Sequence, residues 1–166
     1  MKWSKLKQKV EERFANSVRG KVHIYSTRYS SNGNRCKCGR AWLTYNGKQI
    51  ANFETILNLG RTHRLHEPIT ACGHITIAEN MRDVDRLVER GEFSRFHLHE
   101  ACWELLQIPL VTAIGSTNPL IQGLAFLDGR LGKRRLESLK DIDLHPFPRA
   151  LLEIRLAEYN PPVCER

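Results

Sequence analysis

Cys36-Lys37-Cys38-Gly39 and Cys72-Gly73-His74 place three thiols and an imidazole in two glycine-containing turns, a donor set suited to a structural zinc with tetrahedral S₃N ligation. The usual knuckle spaces its cysteines by two residues, and Cys-x-Cys closes a metal turn less readily. Ordinary loop thiols are therefore the competing reading. His63 and His66 are alternative ligands, whereas Cys102, between Ala101 and Trp103 in a helical pattern, reads as a core residue. His97, His99 and Glu100 stand at the start of the same helical pattern, where a neutral imidazole beside a carboxylate can act as a general base. Trp103 occupies the place of the second histidine in a zinc-protease helix, so packing or capping competes with catalysis for His99 and Glu100. Asp83-x-Asp85 and Asp141-x-Asp143 read as solvent-facing or helix-start acids. The chain contains no phosphate-binding Gly-rich loop, nucleophile elbow or dinucleotide fingerprint.

Charge gives a broader signal than any of these motifs. Residues 1–50 hold twelve Lys and Arg against two Glu, while residues 51–100 are slightly acidic and residues 101–166 are balanced, within an overall charge of +8. Such local excess points to a polyanionic partner, and its competitor is a solvated basic face. At helical spacing Lys2, Lys5, Lys9 and Arg13 share one face, and Arg28, Arg35, Lys37 and Arg40 extend the field along the following strands. Trp42 and Tyr25 are candidates for base stacking, although burial is the commoner fate of Trp42, Phe53 and Tyr25. A second cluster, Arg130, Lys133, Arg134 and Arg135, reads either as a phosphate contact or as partners of Asp128, Glu137 and Asp141.

The elements that position these residues follow from periodicity. Trp3, Leu6, Val10 and Phe14 form the apolar stripe of an N-terminal helix beside its basic row. From Gly20 to Tyr29 a strand turns Val22 and Ile24 to one face and His23, Tyr25, Thr27 and Tyr29 to the other. Asn46-Gly47 between Arg40–Tyr45 and Lys48–Phe53 predicts a type I′ hairpin, whose regular register sets Leu43 opposite Ile50 on the inner face and Trp42 opposite Ala51. A short helix over Glu54–Leu59 follows, and periodicity then fails between Gly60 and Ala78. Later helices are expected from Asn80 to Gly91, from Ser94 through Leu98, Cys102, Leu105 and Leu106, from Asn118-Pro119 through Leu127 with a break at Gly129 and Gly132, and over Pro146–Tyr159. The result is an α+β protein with an N-terminal helix, a three-stranded antiparallel meander and a mainly helical C-terminal half. Its expected organisation is a basic module over 1–60, an irregular connection over 61–79 and a helical module over 80–166.

No apolar run approaches the roughly 20 residues of a membrane span, and no apolar segment follows the N-terminal Met1-Lys2-Trp3-Ser4-Lys5. Five cysteines without a disulfide-framework spacing fit a reducing compartment, so the chain reads as cytoplasmic. Words spread over nearly its whole length carry a resemblance: Met1-Lys2-Trp3-Ser4-Lys5-Leu6-Lys7, Ser26-Thr27-Arg28-Tyr29, Gly39-Arg40-Ala41-Trp42, Gly91-Glu92-Phe93-Ser94-Arg95-Phe96, Leu98-His99-Glu100-Ala101, Asn118-Pro119-Leu120 and Gly132-Lys133-Arg134-Arg135-Leu136. In these the chain resembles a family of small uncharacterised bacterial proteins, which implies a bacterial origin and a complete chain but no activity. Gly129 departs from the resemblance, since similar proteins carry a larger residue there. The helix–meander–helix order is also reminiscent of double-stranded-RNA-binding domains, without the lysine-bearing start of their second helix. The functional expectation is nucleic-acid binding or association. Its rivals are a protein-interaction module, such as an antitoxin, immunity or assembly factor, and a small enzyme built on His99 and Glu100.

Overall fold

The computed structural model describes residues 1–29, 37–63, 87–89 and 91–159. Its architecture is α+β: an N-terminal helix, a three-stranded antiparallel sheet in the order β1-β2-β3, and helices through the C-terminal half. Two compact units form, Met1–Lys21 with Ala101–Arg166, and Val22–Glu100. The first helix thus groups with the C-terminal segment, not with the sheet that follows it, and this differs from the expected module over 1–60.

In the first unit, helix α1 (Trp3–Glu12) buries Leu6 and Val10 as its stripe requires. Backbone bonds then tie its exit to the end of a later helix, α5 (Pro119–Phe126): Ala15 N–H donates to the Leu127 carbonyl and Gly129 N–H to the Arg13 carbonyl, both at 2.8 Å. These bonds, which flank the Phe14–Asp128 bridge, account for the grouping of α1 with the distant segment. Asn118 Oδ1 accepts from Leu120 N–H at 3.0 Å and Pro119 fills the first turn, as the Asn-Pro signal predicts. Helix α7 (Pro146–Ala157) begins similarly, with His145 Nδ1 accepting from Phe147 N–H at 3.1 Å. Gly123 lets α5 approach α7 closely, because a Cβ there would lie 2.8 Å from the Phe147 ring. A short helix over Leu110–Ile114, α4, has no signal of its own at five residues, and α6 (Lys133–Glu137) follows the break at Gly129 and Gly132.

In the second unit, β1 (Val22–Arg28), β2 (Gly39–Tyr45) and β3 (Lys48–Glu54) form the meander, and α2 (Thr55–His63) continues directly from β3. Asn46 and Gly47 take φ of 49° and 77°, the positive pair that a two-residue I′ turn demands. The expected pairing of Leu43 with Ile50 is not what forms. An irregularity after the turn sets Leu43 opposite Ala51 and Trp42 opposite Asn52. The reason is packing: regular pairing would turn Phe53 to the face of Trp42, whereas the extra residue swings Ala51 and Phe53 to the face of Ala41, Leu43 and Ile24, where all five are fully buried. Burying a phenylalanine contributes about 1.5–3 kcal/mol, enough to select the bulged register.

The unit boundary falls inside α3 (Arg95–Gln107), after Glu100. Ser94 starts this helix: its Oγ accepts from His97 N–H at 3.4 Å, and His97 Nδ1 accepts from Ser94 N–H at 3.1 Å, a reciprocal cap with histidine in the usual place of glutamate. The expected helix from Asn80 to Gly91 and the irregular stretch to residue 79 lie largely outside the described residues. No described helix is long and apolar enough to cross a membrane.

Candidate nucleic-acid interface

Alternation along β1 and β2 sends Val22, Ile24, Ala41 and Leu43 to the core and His23, Tyr25, Thr27, Arg40 and Trp42 to the opposite face. Tyr25 is the direct cross-strand neighbour of Trp42, and their rings stack at 5.2 Å with 16° between planes. The Arg40 guanidinium carbon lies 4.2 Å from the centre of the Trp42 ring, and the His23 ring stands 6.1 Å from Tyr25. Aromatic pairing and the cation–π contact each contribute about 0.5–1.5 kcal/mol, so this row is preformed. Tyr25 is 37% exposed and Trp42 half-buried, so of the three aromatics for which burial is the competing reading only Phe53 enters the core.

At one end of this face the polar groups converge. Tyr29 OH donates to Glu54 Oε2, and Glu54 Oε1 accepts from Ile56 N–H at 3.1 Å. Glu54 is only 1% exposed, and burial holds its carboxyl above the usual carboxylate range, outweighing these hydrogen bonds and the nearby charge of Arg40. Burial and the Glu54 partner likewise push the Tyr29 phenol up. Arg95, 4% exposed, donates to the Lys37 carbonyl at 3.0 Å and so pins the strand entry, while its Nε has no partner among the described residues. Glu54, Tyr29 and Arg95 carried no motif. Glu54 becomes the cross-strand partner of Arg40 only in the bulged register, which spacing does not announce.

His99 Nε2 lies 2.9 Å from Ser26 Oγ, a nucleophile-to-base distance. Burial, with Arg95 and Arg28 nearby, lowers the imidazole pKa from 6.5 to about 4. A base that weak at neutral pH gives little help in proton abstraction, so the geometry suits a neutral imidazole fixing a serine hydroxyl. Glu100, its neighbour in sequence, is exposed and forms no hydrogen bond or ion pair among the described residues. The two do not form an acid–base pair.

The basic residues divide into committed and uncommitted groups. Arg13 donates to the carbonyls of Leu105 and Leu106 at 3.0 and 3.3 Å, capping the C-terminal end of α3, and Arg130 forks onto Asp128 at 2.7 and 3.0 Å. Burial opposes ionisation of Asp128, but Arg130 prevails and holds its carboxyl below the usual range. Lys133 meets Glu137 at 3.9 Å. By contrast Lys2, Lys5 and Lys9 on α1, Arg28, Lys37 and Arg40 around the sheet, and Arg134 and Arg135 on α6 make no ion pair among the described residues. Of the zinc candidates, Cys36, Cys72 and His74 lie outside the described residues, as do His66 and Arg35. Cys38 is disulfide-bonded, and Cys102 is a free buried thiol. A disulfide sulfur does not ligate zinc, so Cys38 is available to metal only when reduced. Among the described residues no group of three or more His, Cys, Asp or Glu gathers in metal-binding proximity.

Against known proteins, no curated protein and no solved structure gives a significant match. One family model, that of the SF0329 protein family, matches residues 2–156. The chain belongs to that family.

Proposed function

We propose that this member of the SF0329 protein family binds single-stranded nucleic acid on the outer face of β1 and β2. The observation that supports the reading is the Tyr25–Trp42 stack, 37% exposed at Tyr25, with the Arg40 guanidinium against the indole. A base extends the row by stacking on the exposed tyrosine ring, an interaction that tolerates any sequence and contributes about 1–3 kcal/mol per base. Arg40 already lies against the indole on this face, where a backbone phosphate can exchange its counterions for a fixed cation. A flat aromatic strip suits unstacked bases; a duplex hides its base faces.

Fluorescence anisotropy with a labelled oligonucleotide, single-stranded or annealed to its complement, tests the reading. The proposal expects tighter binding of the single strand and a linear fall of log affinity with log salt. Absence of binding at low ionic strength would overturn it, and preference for the duplex would move the contact away from the aromatic face. Charge-reversal variants in the basic row of α1 report its share of the binding.

A further inference from the structure

Within the first unit, Arg155 of α7 is a guanidinium that is only 1% exposed, yet no carboxylate pairs with it among the described residues. Its partners are neutral: Ser17 Oγ at 2.7 Å, the Leu131 carbonyl at 3.5 Å, and Tyr159, which accepts at 3.2 Å through its hydroxyl and lies under the guanidinium at 4.7 Å. Of the five N–H donors of an arginine, these bonds use three, and Nε is buried without a partner. Withdrawing a cation from water without a counter-charge costs several kcal/mol.

Arg155 lines a cavity of about 290 Å³, together with Ser17, Arg19, Tyr159 and Gly129. Arg19 is a second cation on its wall, and one of its terminal nitrogens is fixed by the carbonyls of Glu12 and Phe14 at 2.6 and 2.9 Å, which leaves its other donors free. The carboxylate of Glu158, one turn along α7 from Arg155, is taken by Lys21. The cavity thus holds two fixed guanidinium groups with spare donors, a hydroxyl at Ser17 and a phenol at Tyr159, and no acidic residue among the described residues of its wall. Guanidinium forks match the oxygens of a tetrahedral oxyanion, and the volume lies at the lower edge of small-molecule sites, about 300 Å³.

We propose that this pocket binds a phosphate dianion, either inorganic phosphate or the phosphate of a small phosphomonoester, held between Arg155 and Arg19. Its occupant supplies the counter-charge that Arg155 lacks among the described residues. Gly129 lets the chain approach Ala15 closely at one wall, because a Cβ there would lie 3.2 Å from the Ala15 Cα.

Thermal unfolding and calorimetric titration of the full chain test it, with inorganic phosphate and ribose 5-phosphate as probes and potassium chloride at matched ionic strength as the control. The expected result is a saturable rise in Tm with phosphate beyond that with chloride. Tighter binding of ribose 5-phosphate identifies a phosphomonoester as the occupant, and equal or weaker binding identifies free phosphate. Arg19→Gln, at an exposed position, should weaken phosphate binding about tenfold or more, the loss of one charge-assisted contact. Arg155→Lys should do the same, and if that variant does not fold, Arg19→Gln alone decides. Identical responses to phosphate and chloride, or undiminished phosphate affinity in Arg19→Gln, would overturn the proposal.

Discussion

His99 gives the account its sharpest pH dependence. Its folded pKa of about 4 lies below the unfolded 6.5, so between these values the unfolded chain binds the additional proton. The stability at stake is fully present above pH 6.5 and is lost as pH falls to about 4. The whole difference corresponds to about 3 kcal/mol, and solvent screening at a ring that is only partly buried reduces this to about 1–2 kcal/mol. The neighbours that set the effect, Arg95 on its own helix and Arg28 on β1, stay charged throughout. Glu54 acts oppositely, because its raised pKa contributes stability at low pH that is lost as pH rises above its unfolded value. A difference measurement therefore isolates the histidine: urea unfolding of wild type and His99→Asn at about pH 7, 5.5 and 4. The amide can still meet Ser26 Oγ but does not titrate. Wild type should lose about 1–2 kcal/mol more than the variant between the extremes. Parallel loss, or an imidazole that titrates near 6.5 by NMR, would refute the placement of His99 against Ser26 and the two arginines.

Other expectations follow from packing and charge. Gly47→Val should destabilise by about 1 kcal/mol or more, because a β-branched residue tolerates positive φ poorly, and urea midpoints will show it. Phe53→Ala, which empties a fully buried site on the bulged strand, should cost about 3–5 kcal/mol by the same assay, whereas Ile50→Ala, at the bulge, should cost much less. Gly123→Ala forces a methyl group against the Phe147 ring and should cost about 1–3 kcal/mol of thermal stability. Reversing Lys5 and Lys9 to Glu should leave Tm unchanged while lowering oligonucleotide affinity and flattening its salt slope; an unchanged affinity would exclude α1 from the contact surface.

Local signals were legible where one residue type had one structural use. Asn46-Gly47 set the hairpin, Asn118-Pro119 the start of α5, and Leu6 and Val10 the buried stripe of α1. The bulge was not legible, since only the competition between Ile50 and Phe53 for the inner face decides it, and that depends on what the face packs against. Pairings distant in sequence were hidden for the same reason. Nothing near Arg13 announces that it caps carbonyls more than ninety residues away, and Arg155 sat in an ordinary helical pattern although its side chain is among the most buried in the fold. For the candidate interface, alternation did place Tyr25 and Trp42 on strands, and cross-strand register then made them neighbours. The roles of Glu54, Tyr29 and Ser26 arise from strand pairing and helix packing, which composition and spacing do not encode.

The central claim rests on Tyr25, so the most direct measurement compares wild type with Tyr25→Ala, and with Tyr25→Phe as the stack-preserving control, for affinity toward an oligothymidylate of about ten nucleotides at low salt. Loss of one stacked base, about 1–3 kcal/mol, predicts roughly a 5- to 150-fold weaker complex for Tyr25→Ala with a Tm lowered by a few degrees through loss of the Trp42 pair, and near wild-type binding for Tyr25→Phe. Equal affinities for wild type and Tyr25→Ala, or no binding by the wild type, would contradict the account.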